Sequence, residues 1–205
     1  LKDIQIYLDQ RNPILFTELL TQQEAKLLQS IEELKHIHEM ITRFKQYTNE
    51  ALTVDYDEIK IVHFNKSNLI LSANLENSTS KDFAGFMNDY TSFIENNQVM
   101  TGEFVGIMTK IENIYKNQTA NYSYLFTTTS HLGPNTFEKK AGNYLCGYHH
   151  GNYDGLNDSY QRIIQYADAH QIKLGKYAYE EYIIFDISEA SPDNYLTRIT
   201  IELEQ

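Results

Sequence analysis

The chain has 205 residues, a formal net charge of −11, 41% hydrophobic content, 16 tyrosines, no tryptophan and one cysteine. That length carries one good core with an appendage, and the acidic balance excludes direct nucleic-acid binding by this chain, since phosphate contact needs clustered Lys and Arg. The lone Cys146 excludes a disulfide framework or a multi-cysteine metal site and fits a reducing cytoplasm, and no apolar run approaches the length of a membrane span.

Residues 1–20 read as a short amphipathic piece marked by Ile4, Leu8, Ile14 and Leu19, with Asn12-Pro13 as a break. From Thr21 to about Gln46, Leu27, Ile31, Leu34, His38 and Ile41 follow a 4-3-4-3 spacing, with Leu20 one heptad ahead. Charged residues fill the remaining positions and neither Gly nor Pro interrupts, so the spacing predicts a helix. Leu28, Ile37 and Phe44 widen its stripe beyond a bare seam. Such a helix is too long to be covered by a domain this small. The expected role of residues 21–48 is a dimerisation coiled coil; the alternative is a helix lying across its own domain. The chain starts at Leu1 and shows no signal-peptide pattern, which points to a fragment of a cytoplasmic protein.

After Thr48 the periodicity changes. Residues 59–64 and 69–75 read as strands around an Asn65-Lys66-Ser67-Asn68 turn. Residues 77–80 offer N-caps to a helix over 81–97, with Phe83, Phe86, Met87, Tyr90 and Ile94 on one face. Gly102 ends the connection, and residues 103–111 and 122–130 alternate as strands. Gly133-Pro134-Asn135 then links to a second series: a strand over 144–148, a helix over 156–170 and strands over 177–187 and 195–202. This series repeats the first at an offset of 73 residues, which carries Phe83 onto Leu156, Gln98 onto Gln171, Gly102 onto Gly175 and Tyr122 onto Tyr195. The expected fold is therefore α+β: an N-terminal coiled-coil helix followed by a duplicated β-α-β-β domain with pseudo-two-fold symmetry. That domain spans residues 53–205, with modules of about 59–130 and 137–205.

The sharpest local signal is Tyr179-Glu180-Glu181-Tyr182, followed by Ile183-Ile184-Phe185. In a strand Glu180 and Glu181 face opposite ways, so at least one points at a packed side. The repeat-equivalent positions carry Ile107 and Met108, so charge has replaced apolar side chains in an apolar strand. A buried carboxylate is costly without a partner. An incoming cation fits that role, helped by aromatic faces. The competing account is internal: one Glu facing solvent, the other bonded to Arg198 or a tyrosine hydroxyl. His149 and His150 are adjacent, point apart on a strand and lack a carboxylate at ligand spacing, so they read as surface or capping residues, not metal ligands. Cys146 reads as a small core residue. No Ser-His-Asp or Cys-His arrangement and no Gly-rich phosphate loop stands out, so no catalytic residue, metal or cofactor is expected.

Taken together, the chain resembles a MerR-family transcriptional regulator without its winged-helix reading head. Residues 1–4, Tyr7-Leu8 and Arg11-Asn12-Pro13 are similar to the last helix of that family's DNA-binding domain, and the 4-3 stripe to its antiparallel dimerisation helix. Residues from about 53 onward resemble the GyrI-like effector-binding domain. Gly147-Tyr148-His149-His150-Gly151-Asn152-Tyr153 and Tyr160 match the strand-to-helix junction of its second half, and Tyr179-Glu180-Glu181-Tyr182 the strand that supplies the acid of a drug pocket. The resemblance implies a homodimeric, cytoplasmic sensor, not an enzyme, that takes lipophilic, cationic small-molecule effectors between its two repeats. DNA would be contacted only through the missing head, and no membrane is involved. It further implies a ligand site of Glu180, Tyr182, Tyr148, Tyr195, Tyr179 and Glu181. Glu180 is preferred as the buried acid because Glu180-x-Tyr182 matches the family's acidic strand. The alternatives are a GyrI-like hydrolase using Glu180 as base or nucleophile, and a module that sequesters a protein partner.

Overall fold

The computed structural model describes residues 12–76, 83–97, 99, 104–129 and 136–204. Residues 1–11, the loop over 77–80 and the Gly133-Pro134-Asn135 link lie outside them. The chain divides into two compact units, Leu1–Gln46 and Tyr47–Gln205.

The first unit carries most of helix α1, Pro13–Ala51. Asn12-Pro13 proves to be its start, not a break. The Asn12 Oδ1 accepts from the backbone N–H of Leu15 at 3.0 Å, an N-cap bond. Pro13 takes the first helical position, where its missing N–H costs nothing. The predicted dimerisation residues lie along this helix with their side chains in solvent: Leu27, Leu34 and Ile41 are each more than half exposed, Ile31 is 38% exposed and His38 is also exposed. Among the described residues no helix is long and apolar enough to cross a membrane.

In the second unit the elements are β1 Lys60–Phe64, β2 Ser67–Leu71, α2 Phe83–Asn97, β3 Gly106–Lys110, α3 Ile111–Tyr115, β4 Tyr124–Thr129, β5 Thr136–Lys139, β6 Gly142–His150, α4 Leu156–Ala169, β7 Leu174–Ile184 and β8 Leu196–Leu203. Short 3₁₀ turns, Tyr153–Gly155 and Pro192–Asn194, precede α4 and β8. The strands form one sheet in the order β1-β6-β8-β7-β3-β4-β2-β5, and every neighbouring pair is antiparallel. The strands flanking the Asn65-Lys66 link do not pair with each other. β1 pairs with β6, while β2 pairs with β4 and β5. That link spans three Cα steps, at most about 11 Å, so the two sides of the sheet must approach each other and the sheet curls. Lys139 of the far edge strand confirms the curl, since its ammonium stands 5.4 Å from the ring centroid of Phe64 in β1.

The curl gives the sheet an inner and an outer face. Leu69, Met108, Phe126, Tyr144 and Tyr179 fill the inner face. Tyr47, Ala51 and Val54 pack beside Cys146, Tyr148, Ile183 and Leu196 on that same side. The two longer helices of this unit, α2 and α4, lie on the outer face. α4 brings Tyr160, Ile163, Ile164 and Ala167 onto Leu145, Ala178, Ile199 and Ile201. α2 brings Phe93, Phe86, Tyr90 and Ile94 onto Ile107 and Leu125. Ile107 pairs directly with Glu180 across β3 and β7, and side chains of directly paired residues share a face.

Candidate functional site

The pleat of β7 separates the two adjacent carboxylates. Glu180 and Tyr182 project to the outer face, Tyr179 and Glu181 to the inner, because successive strand residues alternate. β3 runs so close to β7 that a methyl group at Gly106 would collide with the Glu180 carbonyl oxygen and the Phe126 ring. Only glycine permits that approach.

Glu180 is 3% exposed. The Tyr160 hydroxyl, from the buried face of α4, donates to its Oε1 at 2.6 Å, and the Tyr182 hydroxyl donates to its Oε2 at 3.2 Å. Among the described residues no cation pairs with it. Burial pushes its carboxyl up to about 7, and the two phenols only partly oppose that rise. Around this acid the rings gather. Tyr153 stands edge-on to Tyr182 at 5.3 Å and tilted to Tyr195 at 5.6 Å. Tyr182 also packs against the cluster of α2 and β4, where Phe86 meets Tyr122 at 6.2 Å and the Tyr122 hydroxyl donates to Asp89 at 2.9 Å. The acid therefore sits where the outer-face clusters of α2 and α4 meet.

Glu181 lives in the opposite environment. Arg198 reaches it through Nη2 at 3.1 Å and Nε at 3.3 Å, the Lys139 ammonium lies at 3.9 Å, and the Tyr47 hydroxyl donates at 3.0 Å. Burial alone would raise its carboxyl, but Arg198 and Lys139 overcome that and hold it at about 2. Arg198 also donates from Nη1 to both oxygens of Glu50, at 2.9 and 2.6 Å, and the Tyr148 hydroxyl donates to Glu50 at 2.8 Å. Lys139 is boxed by the rings of Phe64, Tyr144 and Tyr179; burial lowers its pKa. This is a closed set of internal ion pairs.

Of the six residues singled out from the sequence, the structure thus brings together Glu180, Tyr182 and Tyr195, the last through Tyr153. It places Tyr148, Tyr179 and Glu181 on the inner face, away from Glu180. Tyr148 pairs with Arg198 across β6 and β8, and Arg198 with Glu181 across β8 and β7, so these three share a side. The internal account of the acidic pair holds only in part: Glu181 bonds to Arg198 and Glu180 to tyrosine hydroxyls, but neither faces solvent as that account required of one of them. Tyr160, the closest neighbour of Glu180, was absent from the expected set, although it stands on the same helical stripe as Ile163, Ile164 and Ala167. His149 is buried instead of surface-facing, its Nδ1 2.9 Å from the Ser159 hydroxyl and its Nε2 2.6 Å from the Asn152 carbonyl. His150 stacks on Tyr56. Among the described residues no three His, Cys, Asp or Glu side chains group as a metal would need.

Residues 57–204 match the family described as a GyrI-like small molecule binding domain. The chain is 21% identical over its whole length to the multidrug-efflux transporter 2 regulator of Bacillus subtilis (strain 168), covering 75% of that protein. Among solved structures it is similar to EcmrR in its complex with DNA, with a TM-score of 0.54 and 13% identity, covering all of this chain and 77% of that one. The crystal structure of the EcmrR C-terminal domain matches with a TM-score of 0.52 and 13% identity, over 72% of this chain and 98% of that one. At these identities the structural likeness speaks for the fold alone.

Proposed function

Because the chain belongs to the GyrI-like family of small-molecule binding domains, we propose that it is the effector-sensing and dimerising part of a MerR-type transcription regulator, taking lipophilic cations at Glu180. The observation that carries this reading is the asymmetry of the acidic pair. Glu181 has its cations built in, whereas Glu180 is buried among tyrosines and, among the described residues, has only phenol donors. A carboxylate so placed repels anions, tolerates no unpaired charge and is relieved by a cation that arrives with its own apolar surface. Tyr182, Tyr153 and Tyr195 supply ring faces for such a ligand. Under this reading Glu180 serves as a counter-ion, not as a base or nucleophile. Likeness to a multidrug-efflux regulator along the full chain supports it.

Two further parts of the reading belong with it. The domain is a duplicated β-α-β-β module, β2-α2-β3-β4 followed by β6-α4-β7-β8, with a pseudo-two-fold axis passing between β3 and β7. The matching order of elements along the chain and the symmetric strand order support this. The exposed stripe of Leu27, Ile31, Leu34, His38 and Ile41 on α1 pairs with its twin in a homodimer.

Titration of a fluorescent, permanently charged aromatic cation against the wild type and Glu180→Gln tests the site. Glu138→Gln, an exposed acid, is the control for net charge. The expected result is a loss of about 2 to 5 kcal/mol for Glu180→Gln alone. Equal affinity for all three proteins would end the proposal.

A further inference from the structure

Thr197 of β8 is fully buried, and its hydroxyl has no hydrogen-bond partner among the described residues. Buried hydroxyls are rarely left so, and each such case asks for an explanation. Its position in the sheet offers one. Thr197 lies directly opposite Tyr182 on β7, and Glu180 lies opposite Ile199 two residues further along. Thr197 and Glu180 are therefore diagonal neighbours on the outer face, a relationship that sets Cα atoms about 7–8 Å apart. On the other side Thr197 faces His149, but both ring nitrogens of that histidine are already engaged, with Ser159 and with the Asn152 carbonyl. The Tyr182 hydroxyl is likewise directed to Glu180. The protein thus leaves Thr197 unserved in the row of side chains that flanks its cation-less carboxylate.

Glu180 complements it. An ionised carboxylate offers about four lone-pair sites, and two phenols occupy only part of that capacity. A cation carrying N–H groups could donate to Glu180 and to the Thr197 hydroxyl oxygen together. A quaternary ammonium or phosphonium carries the same charge but no donor. Beside Tyr182 and Tyr195 stands Tyr153, 44% exposed on a single 3₁₀ turn, the ring past which such a ligand would enter.

We propose that Thr197 is the specificity-determining residue of the site, and that with Glu180 it selects protonated amines or amidines over quaternary cations of equal apolar bulk. The proposal rests on the cation-site reading above and refines it.

The test uses a matched pair of probes, an anthracenylmethyl amine and its trimethylammonium analogue, with fluorescence titrations at pH 8, where both probes are charged. The wild type is expected to bind the amine about tenfold more tightly than the quaternary salt, since a site built to hydrogen-bond a ligand group rejects an analogue lacking it. Thr197→Val, which keeps the shape, should remove that preference by weakening the amine alone; Thr197→Ser should restore it. Circular dichroism and melting curves establish that both variants fold. Glu180→Gln should weaken both probes. An amine-to-quaternary ratio unchanged in Thr197→Val overturns the role of Thr197, even where Glu180→Gln still weakens both. Affinities unmoved by Glu180→Gln overturn the site itself, and this refinement with it.

Discussion

Glu180 and Glu181 are chain neighbours whose carboxyl groups titrate on opposite sides of the ordinary value of 4.5, at about 7 and about 2. One peptide bond and the alternation of a strand separate a group with no cation among the described residues from a group that has two. The difference lies in their surroundings: Glu180 is buried and Glu181 nearly so, and only Glu181 has Arg198 and Lys139 beside it. From this pair follow the first three predictions.

Affinity for a permanently charged cation should depend on pH through Glu180. Above about pH 7 the carboxylate is ionised and binding is at its plateau. As pH falls through that value the charge recognised by the ligand is lost, and affinity drops about tenfold per unit. Calorimetric titrations between pH 5 and 8.5 should show this slope in the wild type and a flat line in Glu180→Gln. A flat wild-type profile would assign the acid a structural role only.

Stability without ligand should run the other way. The folded pKa of Glu180 is raised, so the native state holds a proton that the unfolded chain has released between pH 4.5 and about 7. Stability therefore falls as pH rises across that window, by ~3 kcal/mol in all. Glu181 is depressed, so its contribution is present above pH 4.5 and is lost as pH falls toward about 2, again ~3 kcal/mol. Urea denaturation across pH 3–8 should show a maximum near pH 4.5 to 5 from these two groups. Glu180→Gln should remove the decline on its alkaline side.

The inner ion cluster should be unforgiving at its centre and tolerant at its edge. Arg198 holds both Glu50 and Glu181, so Arg198→Met leaves two acids without their guanidinium and should cost roughly 3 to 5 kcal/mol. Lys139 is boxed by aromatic rings, and Glu181 keeps Arg198 when it is removed. Lys139→Met fills the same box with an apolar chain and should cost under ~1.5 kcal/mol or stabilise the fold. Urea midpoints of the two variants decide it; equal losses would show that the cluster is not centred on Arg198.

The proposed assembly rests on α1. The wild type should be a dimer by light scattering and a variant with Leu27, Leu34 and Ile41 all changed to Glu a monomer, because these side chains lie in solvent on an isolated chain. The near-UV circular dichroism of the second unit should be unchanged. A wild-type monomer would refute the coiled-coil reading.

Much of this was legible in the chain. The alternation at Tyr179-Glu180-Glu181-Tyr182 announced that two acids would face apart, and the helix bounds of the second series fell within a residue of those observed. Which acid would have the cations was not legible, because strand register decides which of the two faces Arg198, 17 positions on, and Lys139 arrives from another strand. Tyr148 misled for a related reason. Its side of the sheet is set by the β6–β8 register, which no local pattern encodes. Asn12-Pro13 looked like an interruption because a cap followed by proline is punctuation with two meanings. The edge strand β5 and the short α3 carry too few residues for any period to show.

The route of β1 across the sheet bears on how the protein is made. Its ladder partner β6 begins only at Gly142, with Lys60 set against Cys146, while β5 completes the sheet beside β2. During synthesis β1 emerges early and then waits, its edge open, until a segment far downstream has left the ribosome. Pairings this distant are formed late and slowly, and an unpaired edge is an invitation to aggregation in the meantime. Neither half closes its own edge, so a product truncated after the first series would have no finished sheet to rest in. The domain is acquired whole, once its last strands have been made.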